Sequence, residues 1–413
     1  MKELKVTYRG FGAAIEVGTL ADDGVDVLFQ YSPEAIARRL ELSPIRLPLR
    51  TAAYPDQQAQ FANLQRVPGL LYDSLPDSWG FLLMNRRLKA KGIDADKVST
   101  LDRLAYLGEN TMGALTYSPG TERLTDHKDL TLVELASEVQ SLLVDDSHEV
   151  LDEIAQAGGS PGGARPKALV HFNPSMGHMS TKSFEGSEPW LIKFPASDDA
   201  ADSCALEELY ARMAAGCNMG MTDTKFFEMK SGLTAFGTKR FDRQGLHRVH
   251  VHSLAGLLQV NFQIPSVGYE DFFKATRRIT RDHRELKKAV QRCAYNVLMN
   301  NRDDHAKNLS FILGQDGSWK LAPPFDLTYC PGYKGEHFMD VLGEGKAPGR
   351  EHIVRAALAA GLSAKDTGAI IDEMLNTLTD GMFQSLAKEL PIPAKTVKLV
   401  AKAIDGNRQR LRA

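Results

Sequence analysis

Apolar residues recur along this chain with two different periods, and the change from one to the other divides it. Up to about residue 125, the runs Leu4 to Tyr8, Ala13 to Leu20 and Val25 to Tyr31 alternate like half-buried strands, while Pro33 to Leu40 and Trp79 to Lys91 have helical spacing. A second stretch, to about 247, predicts a helix over Leu132 to Val144 and strands around Ala168 to Phe172 and Trp190 to Phe194. It continues with a helix over Asp199 to Gly216, with Ala205, Leu209 and Met213 on one face, then strands Lys225 to Lys230 and Leu233 to Phe241. From 248 the period becomes helical over Arg281 to Asn300, His352 to Ala360, Lys365 to Lys388 and Ala394 to Leu411. The pattern is that of an α+β chain in three parts, 1–125, 126–247 and 248–413, with a mixed α/β amino-terminal side and an all-helical carboxy-terminal lobe. Asp145 to Lys167, Asn173 to Pro189 and Pro331 to Arg350, rich in Gly, Ser, Pro or charge, are expected to be mobile.

One interruption of the helical part carries the chemistry. The segment Asn301-Arg302-Asp303-Asp304-His305-Ala306-Lys307-Asn308 precedes an apolar run Leu309 to Leu313, a Gly314-Gln315-Asp316-Gly317 turn, and a second run Ser318 to Ala322. A hairpin there would return Asp326, in Pro324-Phe325-Asp326-Leu327, to the side of Asn308. Phosphoryl transfer needs an Asp to orient the acceptor hydroxyl, an Asn to hold one Mg²⁺ and a later Asp to hold the metal bridging the ATP phosphates. Asp303, Asn308 and Asp326 have that order and spacing. A solvated turn at a helix end explains an Asp-rich segment equally simply, and His305 with Asp303, Asp304 and Asp326 would also suit a two-metal hydrolase.

The upstream sequence favours the first chemistry. Ala157-Gly158-Gly159-Ser160-Pro161-Gly162-Gly163-Ala164-Arg165-Pro166-Lys167 can aim backbone N–H groups at phosphates, although it is neither a Walker A nor a G-x-G-x-x-G motif and is equally readable as a linker. Lys193 interrupts the apolar strand Trp190 to Pro195, either as an edge-strand surface residue or as the lysine that pairs ATP phosphates. Glu207 and Glu208, early in the following helix, are candidates to hold it. Each is also an ordinary acidic residue near a helix start.

In this order the segments resemble the HipA-type serine/threonine kinase toxins of bacterial toxin–antitoxin modules. Leu75-Pro76-Asp77-Ser78-Trp79-Gly80 and Gly113-Ala114-Leu115 look like the family's amino-terminal region, Ser160 to Lys167 like its S-x-x-G-A-x-x-K loop, and Lys239-Arg240-Phe241-Asp242-Arg243 like its R-F-D-R segment. The resemblance implies a two-lobed, kinase-like fold using ATP and Mg²⁺. It implies Asp303 as catalytic Asp, Asn308 and Asp326 as metal ligands, and Lys193, held by Glu207 in preference to Glu208, as the phosphate contact. Gly162, Gly163, Ala164, Arg165, Lys167, His305 and Lys307 would line the nucleotide, Lys239 and Phe241 would flank the adenine, and Ser160 would be the autophosphorylated serine that shuts the enzyme off. It further implies a translation-related protein substrate such as an aminoacyl-tRNA synthetase, a small helix-turn-helix antitoxin, and DNA met only through that antitoxin. Leu327-Thr328 after Asp326 departs from the Phe-Gly of ordinary kinases. The alternative is an idle member acting as a corepressor or interaction module with the antitoxin.

Composition changes this little. The chain has 413 residues, 43% hydrophobic and 25% charged, with a net charge of −2, which argues against coating DNA or membrane unaided. No run has the length of a membrane span or a signal peptide, and Cys204, Cys217, Cys293 and Cys330 lack a C-x-x-C pair, so reduced thiols of a cytoplasmic protein are expected. Trp79 reads as a core anchor and Met213, Met219, Met221 and Met229 as core filling. His247, His250 and His252 lack the partners of a zinc site. The basic run Arg277, Arg278, Arg281, Arg284, Lys287 and Lys288 reads as a solvated helix face, although it could also meet DNA phosphates or an acidic partner.

Overall fold

The computed structural model describes residues 1–55, 64–76, 78–120, 129–144, 165–229 and 232–413. They form two compact units, discontinuous in sequence: 1–201 with 225–252 and 256–259, and 202–224 with 253–255 and 260–413.

The first unit holds two five-stranded antiparallel sheets. β1 (Lys2–Tyr8), β2 (Ile15–Asp22), β3 (Val27–Tyr31), β4 (Tyr54–Pro55) and β5 (Leu115–Ser118) are ordered β4-β3-β2-β1-β5. The alternation of buried Leu4, Val6 and Tyr8 with the less buried Lys5 and Thr7 gives this sheet its buried face. β6 (Lys167–Asn173), β7 (His178–Ser180), β8 (Glu188–Lys193), β9 (Thr224–Glu228) and β10 (Thr234–Lys239) are ordered β7-β6-β8-β10-β9. One face of the second sheet, with Ala168, Val170, Phe172, Trp190, Ile192 and Ala235, packs on Trp79 and Leu83 of the helix Ser78–Ala90 and on the helix Leu132–Val144. Trp79 is the anchor expected, its indole N–H donating to the Lys167 carbonyl at 3.0 Å. Asn173 to Pro189, expected to be mobile, is organised by the β6–β7 hairpin and by Asn173 Oδ1, which accepts from the Ser175 and Met176 backbone N–H groups.

The second unit is built on helices. Tyr210 of Ser203–Gly216 donates its hydroxyl to the Met299 carbonyl at 2.6 Å, and Tyr295 of His283–Leu298 donates to the Tyr210 carbonyl at 2.6 Å. The helix expected over Lys365 to Lys388 is two, Ala364–Thr377 and Asp380–Lys388. Thr379 caps the second by accepting from Met382 N–H, while the Arg408 guanidinium takes the Leu375 and Leu378 carbonyls that the first leaves open. Nor is the carboxy-terminal side all helix, because Ser310–Leu313 and Trp319–Leu321 pair as the expected hairpin, with Phe311 opposite Leu321. Asp316 Oδ1 holds the turn through the N–H and hydroxyl of Ser318. Among the described residues no helix is long and apolar enough to cross a membrane.

Candidate functional site

In the second unit the helix His283–Leu298 delivers the chain into the Asn301 to Asn308 segment. Asn300 takes a left-handed backbone (φ 55°), and its amide donates to the Cys330 carbonyl at 3.0 Å while Cys330 N–H returns to the Asn300 carbonyl at 3.1 Å. The start of this loop is thereby tied to the chain just beyond Asp326. Its far end enters the hairpin, whose ladder continues with Ala322 N–H on the Ser310 carbonyl at 2.9 Å. Asn308 and Asp326 therefore leave the same end of one hairpin.

Within the loop the Asn308 amide N–H donates to the Asp303 carbonyl at 2.9 Å, which turns its amide oxygen away. The Asp303 side chain is half exposed, and its Oδ1 lies 4.0 Å from His305 Nε2. His305 stands between the rings of Phe262 and Phe338, and the Lys307 ammonium sits 4.9 Å from the Phe262 ring centre. Asp326 has φ 57°, an uncommon backbone for a residue with a side chain and one that Asn and Asp tolerate best.

Asp304 has a different role from the metal-ligand reading. It is fully buried and accepts from Tyr269 Oη at 2.7 Å, His337 Nδ1 at 2.8 Å, and the N–H groups of Phe338 at 2.9 Å and Met339 at 3.4 Å. Both oxygens are occupied, and no group of three or more His, Cys, Asp or Glu that could hold a metal occurs among the described residues. The hydrolase reading loses its second carboxylate. The same donors order Pro331 to Arg350, where His337 N–H also donates to the Gly345 carbonyl at 2.8 Å, so the expectation that this segment is mobile is not met.

In the first unit Lys193 and Lys167 are both buried and stand directly opposite each other on β8 and β6. Alternation puts them on the face away from Ala168 and Ile192, together with Phe236 of β10, whose ring centre is 5.9 Å from the Lys193 ammonium. His171 follows on that face, its imidazole pKa lowered by burial and then by Arg240. Lys239 pairs Trp190 in register, so it belongs to the other face, where it donates to Glu188 at 2.6 Å. Phe241 is half-buried in the turn after β10. Arg165 pairs with Asp199 at 3.0 Å. Ser160, Gly162, Gly163 and Ala164 lie outside the described residues.

The two glutamates of the helix Ser203–Gly216 are both buried, but Glu208 is engaged by Arg212 at 2.7 Å, and Arg212 also reaches Glu389 at 3.0 Å. His250 and His252 are likewise committed. His252 sits between Asp73 Oδ2 (2.6 Å from Nδ1) and Ser43 Oγ (2.8 Å from Nε2), all three nearly or fully enclosed. His250 lies 3.2 Å from the Leu42 carbonyl, its pKa drawn down to about 3 chiefly by burial. Of the basic run, Arg277 donates to the Ala360 carbonyl, and Arg284, Lys287 and Lys288 pair with Asp282, Asp366 and Glu285.

A further cluster joins two of the segments quoted from the sequence. Asp242, fully enclosed, accepts from Arg240 (2.8 Å), Arg243 (2.7 Å) and the Gly113 N–H (2.9 Å). Gly113 has φ +70°, and a Cβ there would lie 3.2 Å from Val251 N. Arg248 adds contacts to the Thr111 and Gly113 carbonyls. Burial alone would raise the Asp242 pKa, yet the two guanidiniums and the Gly113 N–H hold it well below the carboxylate range.

The fold and these segments define a HipA-type protein. The HipA-like C-terminal domain family matches residues 159–382 and the HipA N-terminal domain family residues 11–118, so the chain belongs to the HipA family. Its fold is similar to that of HipA in the Shewanella oneidensis MR-1 complex of HipA, HipB and operator DNA, with a TM-score of 0.73 at 16% identity over 99% of this chain and 97% of that one. The Helicobacter pylori proinflammatory kinase CtkA aligns with 55% of this chain and 89% of its own at 13% identity, with a TM-score of 0.42. No curated protein matches the chain in sequence.

Proposed function

We propose that this protein is an ATP-dependent serine/threonine protein kinase acting as the toxin of a toxin–antitoxin module. The observation that carries the reading is the hairpin that sends Asn308 and Asp326 out of the same end, with Asn308 bonded to the Asp303 backbone. The donors fit Mg²⁺: a carboxylate and an amide oxygen are hard oxygen ligands, and the Asn308 amide nitrogen is the atom already spent on protein. When bound, Mg-ATP would supply the γ-phosphoryl group. Asn308 and Asp326 would hold the metal, Asp303 would orient the acceptor hydroxyl, and Lys193 would meet the phosphates, with Lys167 opposite it. Two lysines paired in register on one face of the sheet suit a polyanion such as the ATP phosphates. Glu207 is the better partner for Lys193, since Glu208 is engaged by Arg212. The three parts 1–125, 126–247 and 248–413, the kinase-like lobes, the nucleotide contacts of Lys239 and Phe241, control through Ser160, a translation-related substrate, a helix-turn-helix antitoxin and a cytoplasmic location belong to the same proposal.

Intact mass before and after incubation with Mg-ATP tests it. A phosphoryl gain should appear in the wild type and fall on the order of 100-fold or more in rate in Asp303→Asn, with thermal stability unchanged. No gain in the wild type would leave the idle, corepressor role. Lys193→Ala should weaken Mg-ATP binding more than adenosine binding; equal losses by calorimetry would remove Lys193 from the phosphates.

A further inference from the structure

The carboxylate next to Asp303 is the one the proposed chemistry leaves without a task. Asp304 faces inward, and its four donors come from two separate pieces of the second unit. Tyr269 belongs to the helix Tyr269–Thr280, and His337, Phe338 and Met339 belong to the segment that follows Asp326 in the chain. The hub is extended inward, because Asn296 donates to the Tyr269 hydroxyl at 2.8 Å and Asn301 donates to Asn296 Oδ1 at 3.1 Å. The direction of the Tyr269 bond is fixed: burial and then the Asp304 charge push the phenol pKa well up, so the hydroxyl keeps its proton and donates. A second tie runs alongside. The Phe338 N–H is shared, reaching the Arg302 carbonyl at 3.1 Å as well as Asp304, and the Arg302 guanidinium takes the Gly335 and Lys346 carbonyls.

In protein kinases the segment after the metal Asp is commonly ordered by a phosphate added to it, which pairs with arginine. Here a carboxylate of the catalytic loop accepts from that segment directly. We propose that Asp304 is a positioning residue that locks residues 337–339 onto the Asp303 loop, so that the acceptor-facing segment is held ready without an activating modification. This rests on the kinase reading above. Asp304 touches neither nucleotide nor acceptor. Its loss should therefore slow transfer while leaving nucleotide binding in place, because Lys193, Asn308 and Asp326 are untouched.

The test uses the full chain treated with a broad-specificity phosphatase, with casein as probe acceptor. Three quantities are read for the wild type, Asp304→Ala, Asp304→Asn, Tyr269→Phe and Asp303→Asn: Mg-ATP affinity by calorimetry, the rate of transfer to casein, and hydrogen exchange of the Phe338 and Met339 amides. The lock predicts that the dephosphorylated wild type is active and protected at both amides. Asp304→Ala should bind Mg-ATP within about 3-fold of wild type, transfer on the order of 100-fold more slowly and lose protection at Met339, while the Phe338 amide, still facing the Arg302 carbonyl, keeps part of its own. Asp304→Asn, which keeps one acceptor oxygen, should recover part of both, and Tyr269→Phe should lose about 3-fold to 10-fold. Transfer by Asp304→Ala at the wild-type rate, or a Met339 amide still protected in that variant, overturns the proposal. So does an equal fall in nucleotide binding and rate, which would mark Asp304 as a fold residue only. If the wild type and Asp303→Asn are equally inert, it is the kinase reading that fails, and the amide exchange still decides whether Asp304 holds the segment.

Discussion

Two buried carboxylates, one in each unit, are satisfied in opposite ways. Asp242 is surrounded by fixed positive charge, from Arg240 and Arg243, whereas Asp304 is met by a phenol, an imidazole and two backbone N–H groups. The first arrangement suits a staple. It joins residue 113 to residue 242 with strong, charge-assisted bonds, and the carboxylate offsets the charge of the two guanidiniums where they are enclosed. The second suits a place beside Asp303. Guanidiniums there would compete for the neighbouring carboxylate, while the hydroxyl, ring and backbone donors on Asp304 fix the segment 337–339 without placing an arginine fork beside Asp303.

Breaking the charged knot should give the largest effect. Asp242→Ala leaves two enclosed guanidiniums and the Gly113 N–H without their acceptor, and should cost about 3–5 kcal/mol in urea unfolding of the full chain. A loss below 1 kcal/mol would mean that the arginines find water. The knot is also the acid-sensitive one. Its folded pKa lies below the ordinary carboxylate value of about 3.9, so its contribution is fully present above about pH 4 and is lost as the pH falls towards the folded value. Between pH 5 and pH 3 the wild type should therefore lose stability that Asp242→Ala no longer has to lose, and parallel acid unfolding curves would refute this.

Gly113→Ala tests the same staple from its backbone side, where the left-handed φ and the Val251 N–H 3.2 Å from a Cβ should cost about 1–3 kcal/mol by thermal unfolding. The smallest effect belongs to a carboxylate with a cation but without burial. Lys2 reaches Asp102 at 2.6 Å on an exposed surface, and Lys2→Ala should change stability by less than about 1 kcal/mol.

Local periodicity made much of this legible. The strand ending in Lys193, the helix of the two glutamates and the hairpin between Asn308 and Asp326 each depend on side-chain patterns within a few residues, and each formed close to where the pattern put it. The helix Thr100–Leu107 went unread although its signal was present, since Ser99 and Asp102 form a capping box. What the sequence hid were partnerships across distance. Nothing near Asp304 distinguishes it from Asp303, and only the fold brings Tyr269 and His337 to one and leaves the other half exposed. The break between Thr377 and Asp380 depends likewise on Arg408, and the fate of Glu208 on Arg212.

The left-handed backbone of Asp326 bears on how this position is to be probed. An L-residue without a short polar side chain pays about 1–2 kcal/mol in that region, a penalty that Asp and Asn largely escape and Gly avoids. Alanine scanning would therefore merge two losses at residue 326, one of conformation and one of chemistry, and would overstate the second. Paired Asn and Gly replacements separate them. A library selected for thermal survival alone should admit both while excluding the branched residues, so that stability and phosphoryl transfer would be selected along different axes at the same residue.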